Sequence, residues 1–154
     1  MPTATPIVRP ATIDDAAAVA DCVAAAYRPY LERMDGPPAP VLDDHASSID
    51  RGRVWVAVDP TDDELLGLIV LWPLDDHLFI DNVAVHPETQ GRGIGSSLLE
   101  HAASLARAHG LDEIRLYTNE VMTENLAFYP RHGFEETHRG TDAGYRRVYF
   151  RRRL

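Results

Sequence analysis

The chain has 154 residues, enough for one domain with a substantial hydrophobic core. Apolar residues make up 45% of it and charged residues 25%, as in an ordinary globular protein, and no apolar run approaches membrane-spanning length. The net charge of −9 at pH 7 argues against general nucleic-acid binding. We therefore expect a single domain over residues 1–154 that binds neither nucleic acid nor a membrane.

Cysteine and histidine usage points away from disulfide and metal chemistry. Cys22 is the only cysteine, which excludes an internal disulfide and is compatible with a reducing compartment. It lies in an alanine-rich helical pattern, so we expect a small buried residue rather than a nucleophile. The seven histidines show no ligand spacing, so no metal is expected. The N-terminus has neither a basic start nor an apolar signal core, and the expected location is cytoplasmic.

The chain begins with a predicted strand and helix. Residues 7–10, Ile-Val-Arg-Pro, read as a short strand. Thr12 has the position of an N-cap, and a helix follows through Tyr27 until Pro29 breaks or kinks the pattern.

A loop and a second helix are predicted next. Residues 30–40 mix aromatic, acidic and proline residues, which favours a loop. A connector and a substrate lid are equally supported for this loop, because long irregular segments often carry binding groups. The second helix is expected over residues 41–51 and ends at Gly52.

Three predicted strands follow and form an antiparallel meander. They cover residues 53–59, 65–72 and 79–86, with turns between them. The third strand places Phe79, Asp81, Val83 and Val85 on one face and Ile80, Asn82 and Ala84 on the other.

A glycine-rich loop connects the third strand to a predicted amphipathic helix. Residues 91–95 read Gly-Arg-Gly-Ile-Gly, and the helix runs from there to a C-cap glycine, Gly110. The first N–H groups of a helix lack internal partners, and glycines let an anion approach them closely. The pattern favours a pyrophosphate site over an ordinary turn. It matches neither the lysine-containing P-loop nor the Rossmann Gly-x-Gly-x-x-Gly fingerprint.

The last third of the chain alternates strands with a helix. The predicted elements are a strand over 113–118, parallel to the third strand of the meander, a helix over 123–132 and strands over 134–138 and 144–150. Gly133 is expected to cap the helix. Arg151, Arg152 and Arg153 are expected to form a charged, solvated strand end.

Three motifs stand in a fixed order along the chain. They are Val83-Ala84-Val85-His86-Pro87, Gln90-Gly91-Arg92-Gly93-Ile94-Gly95 and Phe128-Tyr129-Pro130-Arg131-His132-Gly133-Phe134. With the order of the elements, they resemble the GNAT superfamily of acyl-CoA-dependent N-acetyltransferases, whose signatures are Gln/Arg-x-x-Gly-x-Gly/Ala and Tyr-x-x-x-Gly-Phe. The resemblance covers essentially the whole chain. It implies an α/β (α+β) fold with a central mixed, mostly antiparallel sheet of about seven strands and helices on both faces.

The resemblance also implies acetyl-CoA (coenzyme A) as cosubstrate, with no metal. The backbone of Val83–Val85 would pair with the pantetheine arm, and the N–H groups of Gly91–Ser96 would hold the pyrophosphate. The implied cofactor-binding residues are Val83, Ala84, Val85, Gln90, Gly91, Arg92, Gly93, Ile94, Gly95, Ser96, Asn125 and Tyr129. Asn125 is carried over although the family's asparagine stands seven residues before the tyrosine, where this chain has Met122.

The implied activity is direct attack of a primary amine, on a small molecule or a peptide, at the acetyl thioester. Tyr129 is the expected acid that protonates the CoA thiolate, against the alternative that it only packs. A base is expected, because deprotonating an alkylamine costs roughly 4–5 kcal/mol at pH 7. Asp81 is the candidate, since it should share the face of the third strand of the meander with Val83 and Val85, near the thioester. A structural role for Asp81 is equally supported, and Glu32, Asp35 or a chain of waters are alternatives as base.

The acceptor is not fixed by the sequence. Candidate acceptor-binding residues are Tyr27, Tyr30, Glu32, Asp35 and Asp81, with Tyr145 beside them. The acyl length and a homodimer through the C-terminal strands are left open. The alternative function is a non-catalytic acyl-CoA sensor with the same fold, and Tyr129 favours the enzyme. A nicotinamide-dependent oxidoreductase is excluded by the position and spacing of the glycine loop.

Overall fold

The computed structural model describes residues 5–34 and 39–154. The helices within these ranges are α1 (Ala16–Tyr27), α2 (Ala39–Leu42), α3 (His45–Asp50), α4 (Ile94–Ala108) and α5 (Thr123–Arg131). The strands are β1 (Ile7–Pro10), β2 (Val54–Val58), β3 (Leu65–Pro73), β4 (Leu78–Val85), β5 (Glu113–Asn119), β6 (Glu135–Asp142) and β7 (Tyr145–Arg153). Short 3-10 helices span Ile13–Asp15, Arg28–Arg33 and Pro87–Thr89.

The seven strands form one mixed sheet in the order β1-β2-β3-β4-β5-β7-β6. The pairs β1–β2, β2–β3, β5–β7 and β6–β7 are antiparallel, and β4–β5 is parallel. The predicted fold class, a mixed and mostly antiparallel sheet of about seven strands with helices, is therefore confirmed.

The parallel register between β4 and β5 is short. It pairs Leu78 with Ile114, Phe79 with Arg115 and Ile80 with Leu116. β4 itself continues beyond Ile80 to Val85. The register thus covers the first three residues of β4.

Contacts within the chain divide it into two units. The first contains Met1–Val70 and Asn82–His101, and the second contains Leu71–Asp81 and Ala102–Leu154. Core residues of the first unit include Val19, Val23, Val56, Leu68 and Leu98, all fully buried. Core residues of the second include Ala102, Ile114, Leu116, Val148 and Phe150. The single domain expected from the sequence stays a prediction.

The region before β2 differs from the sequence prediction in two places. A loop is predicted over residues 30–40, but residues 30–33 belong to the 3-10 helix Arg28–Arg33. Residues 35–38 of this predicted loop lie outside the described residues. The helix expected over 41–51 is wrong, because α2 and α3 are separate. Asp44 caps α3 by accepting a hydrogen bond from the Ser47 N–H at 3.0 Å, which starts a new helix.

The C-terminal hairpin of β6 and β7 is longer than predicted. Its turn places Ala143 at φ 51° and Gly144 at φ 82°, two left-handed residues that match the twist of the paired strands. Arg151–Arg153 belong to β7, where Arg151 pairs with Glu135 at 2.8 Å. The sequence underestimates β6 because all of its residues are exposed and no apolar alternation marks its second half.

Candidate active site

The turn after β4 is fixed to β3 by two hydrogen bonds. The His86 N–H donates to the Leu66 carbonyl at 2.9 Å. The Thr89 hydroxyl lies within 3.0 Å of the carbonyl oxygens of both Leu66 and His86, and Thr89 is buried. Because this buried hydroxyl donates its one proton to these carbonyls, the side chain anchors the segment that leads into the glycine loop.

The glycine loop has the backbone conformation of an anion cradle. Gly91 and Gly93 have φ values of 84° and 78°, in the left-handed region that favours glycine. A Cβ atom at either position would meet nothing within 4 Å, so both glycines border open space. The hydrogen-bond ladder of α4 begins where the Ser97 N–H donates to the Gly93 carbonyl. The N–H groups of residues 94–96 come before this first bond, so the helix itself does not use them. A pyrophosphate fits this arrangement.

The charged and polar side chains of the loop face solvent. Gln90 and Arg92 are exposed, whereas Ile94 is buried as the first residue of α4. Arg92 also acts on Asp59, whose pKa is held low mainly by hydrogen bonds from Thr61 and to a smaller degree by the Arg92 charge. The Arg92 side chain, which the sequence predicts to contact a phosphate, thus lies at the surface.

A side-chain hydrogen bond from α1 holds the second half of β4. The Tyr27 hydroxyl donates to the Asn82 side-chain oxygen at 2.6 Å, and both residues are buried. Burial alternates along β4, with Asn82 and Ala84 buried and Asp81, Val83 and Val85 partly exposed, which confirms the predicted alternation. Tyr27 therefore positions the strand just before Val83, and its predicted contact with the acceptor stays a prediction.

Tyr129 stands in an aromatic cluster within the second unit. Its side chain is 5% exposed and its ring centroid lies 5.3 Å from Phe128, 5.7 Å from Phe134 and 5.7 Å from Phe150. Gly133, at φ 88°, reverses the chain so that the Phe134 N–H donates to the Tyr129 carbonyl at 3.1 Å. These contacts fix the ring in one orientation.

Asn125 is tied to β5. Its side-chain N–H donates to the Thr118 hydroxyl at 3.0 Å, and that hydroxyl lies 3.8 Å from the Met122 sulfur. Met122, which occupies the family's asparagine position, is buried at 5% exposure. The contact of Asn125 with a cofactor stays a prediction.

The Asp81 carboxylate acts electrostatically on a phenol that also contacts a buried cation. The pKa of Tyr117 is raised, first by burial, while Arg147 lowers it and the Asp81 carboxylate raises it. The Arg147 guanidinium lies 4.1 Å from the centre of the Tyr117 ring and pairs with Asp142. The Tyr117 phenol is thus influenced by Asp81 from β4 and by Arg147 from the C-terminal hairpin.

The other predicted acceptor residues belong to two different elements. Tyr30 and Glu32 lie in the 3-10 helix Arg28–Arg33, where Arg33 stacks over the Tyr30 ring at 5.1 Å. Glu32 is exposed, and Tyr145 is partly exposed at the start of β7. Asp35 lies outside the described residues.

Four residues of the site were missed by sequence reasoning. They are Thr89, Thr118, Asp142 and Arg147. Thr118 had a signal, because the alternation of β5 places it on the buried side with Ile114 and Leu116. Arg147 had none, since its burial depends on the ring of Tyr117 and on the hairpin that brings Asp142 close.

The described residues contain neither a membrane-spanning helix nor a group of side chains suited to a metal ion. In residues 5–34 and 39–154, no helix is both long and apolar enough to cross a membrane. The same ranges contain no group of three histidine, cysteine or acidic side chains that could hold a metal ion.

Comparison with family models identifies the chain. Residues 20–134 match the model described as the acetyltransferase (GNAT) family. The chain belongs to the GNAT family. It is therefore an acetyltransferase of the class that uses acetyl-CoA, as the three motifs predicted.

Individual GNAT relatives agree with this assignment. The peptidyl-lysine N-acetyltransferase YjaB of Salmonella typhimurium is 32% identical over 119 residues, which cover 77% of this chain and 68% of that protein. The streptothricin acetyltransferase of Streptomyces lavendulae is 34% identical over 86 residues, 53% of this chain and 44% of that protein. The PaiA N-acetyltransferase of Thermoplasma acidophilum, solved in complex with coenzyme A, has a TM-score of 0.82 at 18% identity and covers 98% of this chain and 100% of that one. The last similarity concerns the fold.

Proposed function

We propose that this GNAT acetyltransferase moves the acetyl group of acetyl-CoA to the side-chain amine of a lysine in a peptide or protein. The observation that carries the proposal is the similarity to a peptidyl-lysine N-acetyltransferase over 77% of the chain. The open cradle of left-handed glycines in front of α4 supports acetyl-CoA as the donor. This acceptor belongs to the wider class expected from the sequence, a primary amine of a small molecule or a peptide.

The reaction is a direct attack. The amine lone pair forms a bond to the thioester carbonyl carbon, the C–S bond breaks, and CoA leaves as a thiolate. A covalent route through the protein's own thiol is disfavoured, because burial raises the pKa of Cys22 to about 12 and leaves very little thiolate at pH 7.

Two side chains manage the protons. Asp81 takes a proton from the lysine ammonium, which frees the lone pair for attack, and its position beside Tyr117 supports this role. Tyr129 gives its phenolic proton to the departing thiolate. The aromatic cluster around Tyr129 supports an acid role, because a fixed ring keeps the hydroxyl in one place.

The donor is held mainly by backbone. The N–H groups of Gly91–Ser96 bind the pyrophosphate, with Gln90 and Arg92 at the edge of the loop. The backbone of Val83, Ala84 and Val85 pairs with the pantetheine arm, and the N–H near Val85 polarises the thioester carbonyl. The short β4–β5 register, which reaches only Ile80, supports this pairing. Asn125 is the further cofactor contact.

The acceptor class is tested by thiol release from acetyl-CoA. The panel contains capped lysine peptides, free lysine, a polyamine and an aminoglycoside. The proposal predicts the highest kcat/KM for the peptides. Preference for free lysine, the polyamine or the aminoglycoside by tenfold or more would overturn the peptide assignment and leave the transferase activity in place.

The cytoplasmic location and the homodimer remain part of the proposal. Size-exclusion chromatography with light scattering tests the homodimer, and a monomer at micromolar concentration would contradict it.

A further inference from the structure

A row of aromatic side chains crosses the sheet within the second unit. The ring centroids of Trp72 and Phe79 are 5.2 Å apart, and those of Phe79 and Tyr117 are 5.7 Å apart. Tyr117 and Tyr149 follow at 5.7 Å, and Tyr149 and His138 at 4.2 Å. The five rings come from β3, β4, β5, β7 and β6, the order of these strands in the sheet. We call them the aromatic row.

The aromatic row is accessible to solvent. Its first four side chains are partly exposed and His138 is exposed. The preceding residue of β5 and the following residue of β7, Leu116 and Phe150, are buried. Since neighbouring residues of a strand point to opposite faces, the rings lie on the face away from that core. A contiguous exposed aromatic surface of this kind is typical of an interaction site.

The middle of the aromatic row lies beside the carboxylate assigned as the base. Asp81 follows Ile80, which pairs with Leu116, so it comes level with Tyr117 on the neighbouring strand. The electrostatic effect of Asp81 on the Tyr117 phenol agrees with this placement. A negative charge beside an aromatic surface complements a lysine ammonium, and the chain's net charge of −9 has the same sign.

The cation-binding capacity of the Tyr117 ring is already used by the protein. The Arg147 guanidinium lies 4.1 Å from the Tyr117 ring centre, is 9% exposed and pairs with Asp142. A second cation on this ring would be repelled by Arg147. The remaining surface of the row therefore favours aromatic and apolar groups over further positive charge.

We propose that the aromatic row binds an aromatic side chain of the acceptor peptide, close in sequence to the lysine whose amine lies at Asp81. The inference deepens the proposed function and rests on it. Tyr149 is two strands away from β4, roughly 10 Å across the sheet. In an extended peptide, residues two or three apart span about 7–10 Å. One additional aromatic pair corresponds to about a two- to twelvefold preference.

The test compares capped peptides that differ at one position. Each has a central lysine and carries phenylalanine, cyclohexylalanine or alanine two or three residues away. The readout is kcat/KM from thiol release. The proposal predicts that phenylalanine gives a value about two- to twelvefold above alanine, with cyclohexylalanine between them.

Two variants at one position separate the ring from general folding effects. Tyr149→Leu should reduce the ratio of phenylalanine to alanine peptide to about one, while Tyr149→Phe, which keeps the ring, should retain it. The KM for acetyl-CoA should be the same in both variants and in the unchanged protein. A change in that KM would identify a folding defect, and Phe79→Leu would then provide the second test.

Three results would overturn the inference. They are equal kcat/KM for the phenylalanine and alanine peptides, a preference that survives Tyr149→Leu and Phe79→Leu, and a stronger preference for a second lysine or arginine than for phenylalanine. Acetylation of the polyamine or the aminoglycoside, with no acetylation of any peptide tested, would also overturn the inference. The acetyltransferase activity itself would then still stand. Absence of thiol release with every amine would instead contradict the proposed function itself.

Discussion

Gly67 in β3 approaches Ala84 in β4 so closely that a Cβ atom at residue 67 would stand 2.9 Å from the Ala84 carbonyl oxygen. It would also stand 2.9 Å from Cγ2 of Ile94, the first residue of α4. A backbone oxygen cannot rotate out of the way as a side chain can. This approach therefore fixes the strand assigned to the pantetheine arm against the helix that follows the glycine loop.

Gly67→Ala should destabilise the protein. The extra methyl group overpacks this contact, and we expect a loss of about 1–3 kcal/mol in the free energy of unfolding. The matched control is Gly140→Ala in β6, where a Cβ atom would meet nothing within 4 Å. Urea denaturation of both variants measures the difference. Equal stability of the two variants would show that the Gly67 contact relaxes without cost.

Gly93→Ala should weaken acetyl-CoA binding. The substitution places a methyl group in the cradle and strains a backbone at φ 78°, at a cost of about 1–2 kcal/mol. Gly52→Ala is the matched control, because Gly52 has φ 73° and open space around its Cβ position but lies outside the loop. Both variants should lose similar stability, and only Gly93→Ala should raise the KM for acetyl-CoA, by about tenfold or more. A similar KM in both would remove the loop from the donor site.

Tyr129→Phe should lower kcat and leave acetyl-CoA binding unchanged. The substitution keeps the ring contacts with Phe128, Phe134 and Phe150 and removes only the hydroxyl. General acid catalysis contributes about 100- to 10,000-fold, so the loss in kcat should be of that order. Phe128→Leu, which alters the same cluster without touching the phenol, is the control. Steady-state kinetics distinguish the two, and parallel loss of kcat and donor affinity would assign Tyr129 a binding role.

His101 should make stability fall in mildly acidic solution. Its Nε2 is buried and has no hydrogen-bond partner within the described residues, and its ring packs on Trp55 at 4.3 Å. Burial lowers the pKa of His101 below its ordinary value of 6.5. The folded state therefore favours the neutral form of His101. The stability that depends on this neutral form is fully present above pH 6.5, and it is lost as the pH falls from there through the lower pKa of the folded state.

The pH effect is checked by urea denaturation between pH 7.5 and 5.5. The unchanged protein should lose stability over this range, and His101→Leu should lose less. His109→Gln, which alters an exposed histidine just beyond α4, is the control and should retain the full loss. An identical pH dependence in all three proteins would exclude His101 as its source.

The elements with strong periodicity could be predicted from the sequence. β4 shows strict alternation of buried and partly exposed residues, and α4 carries a regular apolar stripe that ends at Gly110, which has φ 70°. The glycine loop between them follows from the same signals. These features depend on local sequence. The anion cradle could be predicted because it is built from backbone N–H groups and glycines.

The parts that depend on tertiary pairing could not be predicted. The separation of α2 and α3 depends on the Asp44 cap, which is one of several acidic residues in that segment. The aromatic row unites residues as far apart as Trp72 and Tyr149, and its order depends on the insertion of β7 between β5 and β6. No local pattern encodes such a register, since each ring alone is an ordinary strand residue.

Transfer of acetyl from acetyl-CoA to a lysine amine can be followed on both products at once. A capped lysine peptide is incubated with the protein and acetyl-CoA, and thiol release is followed together with the peptide mass. We expect the peptide to gain one acetyl group per thiol released, with neither change in the absence of protein. Thiol release without acetylated peptide, or binding of acetyl-CoA with no release for any peptide or amine, would contradict it.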